Sequence, residues 1–245
     1  MSSTSVVRAM RILDLLAHSQ KALPLARIVE ALDIPKSTAY SILRDLAAEG
    51  FVEIHEPAAY AIGLKAFEVG AAHLRTTGIV GVVAAELARL TRALNITSHY
   101  AVLDGPDAVY LCKQDPPGLA IQLASSVGAR LPARSTAVGK SCLAWLDAEE
   151  VAQHVAGDGA RRVGVPPALA ADLEKVRGQG YSTDDGDTAA GIRCVAAPVF
   201  DLSGPRGAIG VSYLRGTDTP LDTIITEVKG AAARATSLLG GRPTP

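Results

Sequence analysis

A row of donor side chains in the first quarter of the chain has the chemistry needed to read the edges of bases. The row recurs at i, i+3, i+4 and i+7 and consists of Ser37, Tyr40, Ser41 and Arg44. That spacing places the residues on one face of an α-helix, and a short helix that carries hydroxyls and a guanidinium outward can enter the major groove of DNA. An ordinary surface helix with a mixed polar face is the alternative that this segment alone leaves open.

The opposite face of the same segment is apolar, which predicts a helix with one side in a core. This stripe consists of Ala39, Ile42, Leu43 and Leu46. Pro35 in the first turn and Gly50 just past the end bound the helix. We predict that bases are contacted by Ser37, Thr38, Tyr40, Ser41 and Arg44, and that phosphates or the edges of the groove are contacted by Arg8, Lys36 and His55.

The flanking sequence supplies the elements that would hold such a helix in place. Thr4 or Ser5 can cap a first helix, with a predicted core stripe of Val6, Met10, Leu13 and either Leu16 or Ala17. A second short helix has an apolar side of Leu25, Ile28, Val29 and Leu32. Beyond Gly50, two alternating segments, 51–54 and 60–62, flank a turn at Glu56-Pro57-Ala58. Three helices and a terminal hairpin predict a winged helix-turn-helix DNA-binding domain over residues 1–63.

Bulk charge gives no support to this interpretation. Residues 1–75 contain eight basic and eight acidic side chains, so the segment lacks the net positive charge typical of DNA-binding domains. The whole chain of 245 residues has 24 Lys and Arg against 25 Asp and Glu, a net charge of -1. We therefore expect modest non-specific affinity for DNA and a dependence on dimerisation.

Composition excludes several other classes of protein. Hydrophobic residues make up 48% of the chain, which is enough for two sizeable cores. The three cysteines show no CxxC spacing and the five histidines are scattered, so we predict neither a metal site nor a cofactor. The N-terminus lacks the apolar region of a signal peptide, and no run reaches the roughly 18 apolar residues of a membrane span. A soluble, cytoplasmic protein without a membrane partner is expected.

The remaining sequence predicts a linker helix and a second, larger domain. The linker helix is expected over 64–78, with a break near Thr76-Thr77-Gly78 before a helix over 79–94. Strands are predicted at 97–103, 108–113, 119–124, 192–200 and 207–213, and helices at 137–146, 149–155, 169–178 and 221–239. The fold class is thus α+β, with an α/β ligand-binding domain on an antiparallel-rich sheet over 79–240 and a disordered tail at 241–245.

Residues 128–146 have the features of an anion site. A loop with Gly and Pro runs into Ser135 and Thr136 and then into a predicted helix. If Thr136 caps that helix, the first backbone amides point outward among small side chains, where they favour an anion such as a carboxylate. The alternative is a plain capped helix whose small residues serve close packing.

Residues 180–201 could supply the rest of a pocket. Along the predicted strand one face consists of Ile192, Cys194, Ala196 and Pro198. Asp184 and Ser212 could add polar contacts to this mostly apolar set, as ligand pockets require. Cys194 could instead be a nucleophile, although a lone Cys in a strand is more often a buried small hydrophobe. The sequence contains neither a GxSxG motif, a phosphate loop nor a paired-acid motif, so no enzyme activity is predicted.

In four separate segments, taken in order, the chain resembles the IclR-type bacterial transcriptional regulators. The matching segments are Val7-Arg8-Ala9-Met10 with Ile12-Leu13, residues 32–39, residues 128–144 and residues 180–201. The resemblance implies a winged helix-turn-helix, a linker helix and a GAF-like effector domain. It also implies dimers that often pair into tetramers on operator DNA, and a small organic acid, aromatic acids among them, as effector. The contacts that it implies for the effector are Leu131, Ala137, Val138, Asp184, Ile192, Cys194, Gly210 and Ser212.

Departures from the family pattern concern the pocket. Gly210 stands where a Ser is frequent, Arg134 where a His is common, and Ala189-Ala190 replaces bulkier residues. Loss of a hydroxyl at Gly210 predicts a roomier and less polar pocket, and therefore an aromatic or longer acid as effector.

These observations predict a homodimeric or tetrameric regulator that binds double-stranded operator DNA and controls genes of catabolism or transport. Two other classes remain open: an enzyme that uses Cys194 as nucleophile, and an interaction module that uses the hairpin and linker helix for protein partners. Rapid alkylation of Cys194 would favour the first, and the lack of sequence-specific duplex binding would favour the second.

Overall fold

The computed structural model describes residues 4–19, 21–118, 125–156 and 164–242, with backbone alone for residues 73–77. The chain divides into two compact units, Met1–Thr77 and Gly78–Pro245. The strand predicted at 119–124 lies outside the described residues.

The first unit is a three-helix domain with a small sheet. Its elements in chain order are α1 (Thr4–Ala17), β1 (Leu23–Pro24), α2 (Leu25–Leu32), α3 (Lys36–Ala48), β2 (Val52–His55), β3 (Ala59–Ile62) and α4 (Leu64–Thr77). The strands pair antiparallel in the order β1-β3-β2. Between α2 and α3 the chain turns tightly through Asp33, whose φ of 50° is left-handed, and Pro35 stands at the start of α3. The predicted winged helix-turn-helix architecture is therefore present.

The core of this unit corrects one prediction. Ile12 and Leu16 of α1 pack against Ile28, Ala39 and Leu43, and all five are buried. Val6 and Met10, which we placed in the core stripe, are 56% and 58% exposed. Helix α1 is apolar on more than one side, so its periodicity does not determine which side faces the core.

The second unit is built on one antiparallel sheet. Its elements are α5 (Ile79–Leu94), β4 (Thr97–Asp104), β5 (Asp107–Gln114), β6 (Arg130–Pro132), α6 (Ala137–Leu143), α7 (Ala148–Ala156), α8 (Pro167–Gln179), β7 (Ser182–Asp185), β8 (Ile192–Asp201), β9 (Gly204–Leu214) and α9 (Leu221–Leu238). Among the described residues the strand order is β6-β5-β4-β9-β8-β7. The helical conformation is interrupted between α4 and α5 at Gly78, whose φ of 61° is left-handed, and this is the break that we predicted near Thr76-Thr77-Gly78.

Helices cover both faces of this sheet. On one face α5 and α9 bury Leu87, Leu90, Val195, Val211 and Ile224. On the other face α6 lies against the small side chains of Ala101, Ala196 and Ala208. Small residues on both sides let α6 approach the strands closely, and the helix lies against the middle strands β4, β9 and β8.

Gly240 and Gly241, after the end of α9, are hydrogen-bonded to this unit. Gly240 pairs with Asp201, and the amide of Gly241 donates to the carbonyl of Thr236 at 2.9 Å. Helix α6 ends at Leu143, three residues earlier than predicted, and the short strands β1, β6 and β7 were not predicted.

Candidate functional site

The outer face of α3 presents the predicted reading residues to solvent. Ser37, Tyr40, Ser41 and Arg44 are exposed, with Tyr40 at 55%, while Ala39 and Leu43 on the opposite side are 0% exposed. Thr38 is half-buried at the border between the two faces. The face therefore offers hydroxyls and one guanidinium to a groove, and Thr38 can contribute only from its edge.

Arg44 is bound by its neighbour on the same helix. Its Nε and Nη2 donate to Oδ1 of Asp45 at 3.2 and 3.0 Å, and both side chains are about two thirds exposed, at 66% and 67%. An exposed pair of this kind contributes little to stability. The guanidinium can therefore leave Asp45 for a base or a phosphate.

The other predicted DNA contacts have different surroundings. Lys36 is exposed at the start of α3, and Arg8 is half-buried on α1. His55 is exposed at the end of β2, where its Nε2 lies 3.8 Å from Oε2 of Glu53. The hairpin thus carries a carboxylate beside its histidine, which agrees with the balanced charge of the sequence.

The second unit contains a small, partly open cavity between α6 and the sheet. The volume within which the centre of a water molecule can move in this cavity is about 30 Å³. The cavity is lined by His99, Tyr110, Leu131, Thr136, Ala137, Val138, Asp184, Thr188, Ala189, Ile192 and Cys194. Six of the eight predicted effector contacts are among these residues. The exceptions are Gly210 and Ser212.

Thr136 caps α6, which is the condition that the interpretation as an anion site requires. Its hydroxyl accepts a hydrogen bond from the amide of Gly139 at 3.1 Å. The amides of Ala137 and Val138 come before any intrahelical acceptor, so the helix itself does not use them. Ser141 fixes the helix to the sheet, because its hydroxyl donates to the carbonyl of Ala196 at 2.9 Å.

Asp184 of β7 also lines the cavity. The residue is 3% exposed, and it pairs in register with Cys194. Its Oδ1 accepts from the amide of Asp187 at 2.8 Å, and its Oδ2 accepts from the hydroxyl of Thr188 at 2.6 Å. The carboxylate thereby holds the loop that carries Thr188 and Ala189 over the cavity.

Ser212 contacts the wall of the cavity from a different space. Its hydroxyl lies 3.2 Å from Sγ of Cys194. The residue itself lines a second, open cavity of about 350 Å³, together with Asn95, Ile96, Thr97, Pro116, Tyr213, Leu214, Arg215, Gly216 and Thr217. The predicted contacts are thus divided between two neighbouring spaces.

The prediction of extra room at Gly210 is wrong. A Cβ built on Gly210 would lie 2.8 Å from Nε2 of His99 and 3.0 Å from Cγ1 of Val138. The imidazole of His99 already fills the space in which a side chain at position 210 would stand. Sequence reasoning missed His99, because we considered the histidines other than His55 only as metal ligands, although its alternation with Ala101 along β4 places it on this face.

Cys194 does not have the environment of a nucleophile. Burial raises the pKa of its thiol to about 11, and burial likewise raises the pKa of the Cys142 thiol to about 12. At neutral pH both sulfurs are protonated. Cys194 therefore acts as a small wall residue, which removes the main support for the enzyme alternative.

The described residues offer neither a metal site nor a membrane span. That part of the chain contains no group of three His, Cys, Asp or Glu side chains that could hold a metal ion. None of its helices combines the length and apolar character needed to cross a bilayer.

Comparison with known proteins shows where both units belong. A model of the family described as bacterial transcriptional regulator IclR C-terminal matches residues 71–237, and the IclR helix-turn-helix domain matches residues 5–55. The HTH-type transcriptional regulator KdgR of Escherichia coli is 30% identical, with 100% of this chain and 95% of that protein covered. The transcriptional repressor IclR of the same organism is also 30% identical, covering 97% of this chain and 90% of that protein.

A solved structure agrees in fold. It is an IclR homologue from Microbacterium hydrocarbonoxydans in complex with 4-hydroxybenzoate, with a TM-score of 0.81, 20% identity, and coverage of 96% of this chain and 99% of that chain. The relatives named above are regulators or repressors and not enzymes, in agreement with the prediction from the sequence. The chain belongs to the IclR family of bacterial transcriptional regulators.

Proposed function

We propose that this protein binds operator DNA through α3 and that a short organic acid in the cavity beneath α6 changes that binding. The observation that carries the proposal is the cavity itself: a capped helix start with unused amides lines a small cavity whose other lining residues are mostly apolar. Amides at the start of a helix favour the carboxylate of a ligand. The regulated genes would then serve catabolism or transport of that acid, in the cytoplasm.

The size of the cavity favours a short acid. We based the prediction of an aromatic or longer acid on volume at Gly210, and His99 occupies that volume. The volume open to the centre of a water molecule is about 30 Å³, which is enough for a ligand of a few heavy atoms. An aromatic acid such as the 4-hydroxybenzoate bound to the Microbacterium homologue would need the loop held by Asp184 to move.

Dimerisation forms part of the proposal. Apolar side chains are exposed on two helices of the first unit, with Val6 and Met10 on α1 at 56% and 58%, and Leu64 and Phe67 on α4 at 65% and 69%. Exposed apolar groups of this kind mark surfaces that bind another protein. We propose that a second copy of the chain covers them and that dimers pair further on DNA. Light scattering should then show Met10→Ser and Phe67→Ser dissociating the dimer, whereas Leu202→Ser in the second unit should not.

An acid affects DNA binding only if one arrangement of the dimer binds it more tightly than the other. We would select an operator from random duplexes and titrate it by fluorescence anisotropy with and without acids of two to four carbons. Ala189→Phe fills the cavity and should abolish the response to acid. Ala190→Phe places the same ring on an exposed neighbour and should preserve it.

Two results would contradict the proposal. Selection that enriches no duplex sequence would remove operator binding. An acid response that survives Ala189→Phe unchanged would place the effector outside this cavity.

A further inference from the structure

His99 lies where a ligand of the cavity must contact it. The residue is on β4, is 1% exposed and lines the cavity together with Tyr110. Their rings meet edge to face, with centroids 5.1 Å apart and planes at 61°, which fixes the orientation of the imidazole.

The neighbouring strand β9 has a glycine, without a side chain, beside the His99 ring. His99 pairs in register with Gly210 of β9, and a Cβ at position 210 would lie 2.8 Å from Nε2 of His99, 3.0 Å from Val138 and 3.2 Å from Ala196. The backbone of Gly210 lies outside the left-handed region, so its conformation does not require glycine. The absence of a side chain at position 210 is therefore explained by the room that the imidazole needs.

The imidazole is also incompletely bonded. Its Nδ1 is buried and has no hydrogen-bond partner. Buried polar atoms are nearly always paired, so an imidazole with an unpaired nitrogen keeps unused hydrogen-bonding capacity. Burial, and next the positive charge of Lys113, lower the pKa of His99 to about 3, whereas Asp115 opposes this shift. The ring is therefore neutral at physiological pH, with one nitrogen that donates and one that accepts.

We propose that His99 is a specificity-determining residue of the effector cavity, that its imidazole binds a hydroxyl or carbonyl group of a short carboxylic acid, and that Gly210 makes room for it. This inference rests on the proposed function. The carboxylate of the acid lies at the start of α6, and its second polar group lies against the sheet at His99. A neutral imidazole does not attract anions in general, so it discriminates among acids by this second group.

The test compares acids that differ by one hydroxyl. Calorimetric titrations with lactate and propionate, and with glycolate and acetate, should show the wild-type protein binding at least one hydroxy acid about tenfold more tightly than its partner. His99→Leu should abolish that preference and retain binding of the plain acid. His18→Leu, the same exchange at an exposed histidine of the first unit, should retain the preference.

The room made by Gly210 has its own readout. Gly210→Ser should lower the melting temperature and reduce binding of the hydroxy acid, because the new side chain displaces the imidazole. His99→Ala combined with Gly210→Ser should recover most of the melting temperature lost in Gly210→Ser alone.

The imidazole nitrogen resonances that disappear in His99→Leu should shift when the hydroxy acid is added to the wild-type protein.

The outcomes distinguish a failure of the proposed function from a failure of the role proposed for His99. If the wild-type protein binds none of these acids, the proposed function fails for short acids. If it binds them without preference, or if His99→Leu keeps the preference, the role of His99 is overturned while the cavity remains an acid site. A Gly210→Ser protein with unchanged melting temperature and unchanged preference overturns the role of Gly210.

Discussion

The outer face of α3 leaves its polar side chains in solvent, whereas the cavity beneath α6 encloses almost all of its own. Residues 36–44 supply the first surface from successive turns of one helix, and Arg44 has an exposed neighbour as its partner. The cavity draws on β4, β5, β6, α6, β7 and β8 and on the loop after β7, and both carboxylate oxygens of Asp184 accept hydrogen bonds from that loop.

This difference separates the expected effects of substitutions. Side chains that contact a partner from an exposed face can be changed without disturbing a core. Side chains that receive a ligand inside a cavity also hold that cavity together. Substitutions on α3 should therefore change DNA binding and leave stability intact, whereas substitutions around α6 should change stability as well as ligand binding.

The largest effect is expected at Gly139, where α6 contacts backbone. A Cβ at Gly139 would lie 2.1 Å from the carbonyl oxygen of Ala133 and 2.4 Å from its Cα, so the helix must shift. Gly139→Ala should lower the free energy of unfolding by about 3 kcal/mol. Urea denaturation followed by the fluorescence of Trp145, the one tryptophan of the chain, reports on this unit.

Gly178→Ala is the matched control, because nothing lies within 4 Å of a Cβ at that position of α8. It should raise the free energy of unfolding by about 0.5 to 1 kcal/mol through the better helix propensity of alanine. Equal stability of the two variants would contradict the close packing of α6.

On α3 the corresponding substitution is Arg44→Ala. If the guanidinium contacts a guanine, operator affinity should fall by about 1 to 3 kcal/mol, while the urea midpoint stays unchanged because the Arg44–Asp45 pair is exposed. Anisotropy titrations measure the first quantity and circular dichroism the second. Lys175→Ala removes one positive charge from an exposed helix of the second unit and should leave operator affinity unaffected. Unchanged operator binding by Arg44→Ala would remove this residue from the reading face.

The burial of His99 makes the stability of the second unit depend on pH. The pKa of His99 is lowered from 6.5 to about 3. Between these two pH values the imidazole binds a proton in the unfolded chain but not in the folded chain. The stability that comes from this difference is fully present above pH 6.5 and is lost as the pH falls toward 3. The wild-type protein should therefore lose about 2 kcal/mol between pH 7 and pH 5 relative to His99→Leu. A stability difference between the two proteins that does not change with pH would show that His99 has the same pKa in the folded and the unfolded chain.

The same contrast explains what the sequence predicted and what it did not. The outer face of α3 follows from spacing within one helix, so Ser37, Tyr40 and Arg44 could be assigned to one surface from periodicity alone. On α1 that approach failed, because the additional apolar residues Val6 and Met10 made two core faces equally consistent with the sequence.

The cavity depends on strand register, which the sequence does not contain locally. That His99 lies beside Gly210 follows from the pairing of β4 with β9, two strands that are about a hundred residues apart in the chain. The resemblance to the family supplied Asp184, Ile192 and Cys194 without giving the register. For that reason it left Gly210 as an apparent loss of bulk rather than as the place of a neighbouring ring.

The smallest effect is expected at Thr136, where α6 meets the cavity through its cap. Thr136→Ala removes the hydroxyl that accepts from the amide of Gly139 and should lower the free energy of unfolding by about 1 kcal/mol, again measured through Trp145. Because Thr136 is 2% exposed, the substitution also deletes a buried methyl group. Thr136→Ser keeps the hydroxyl and deletes only that methyl, so the difference between the two variants isolates the cap. Equal losses in both would mean that packing, and not the hydrogen bond, positions the start of α6, and the amides of Ala137 and Val138 would then have no fixed direction in which to receive a carboxylate.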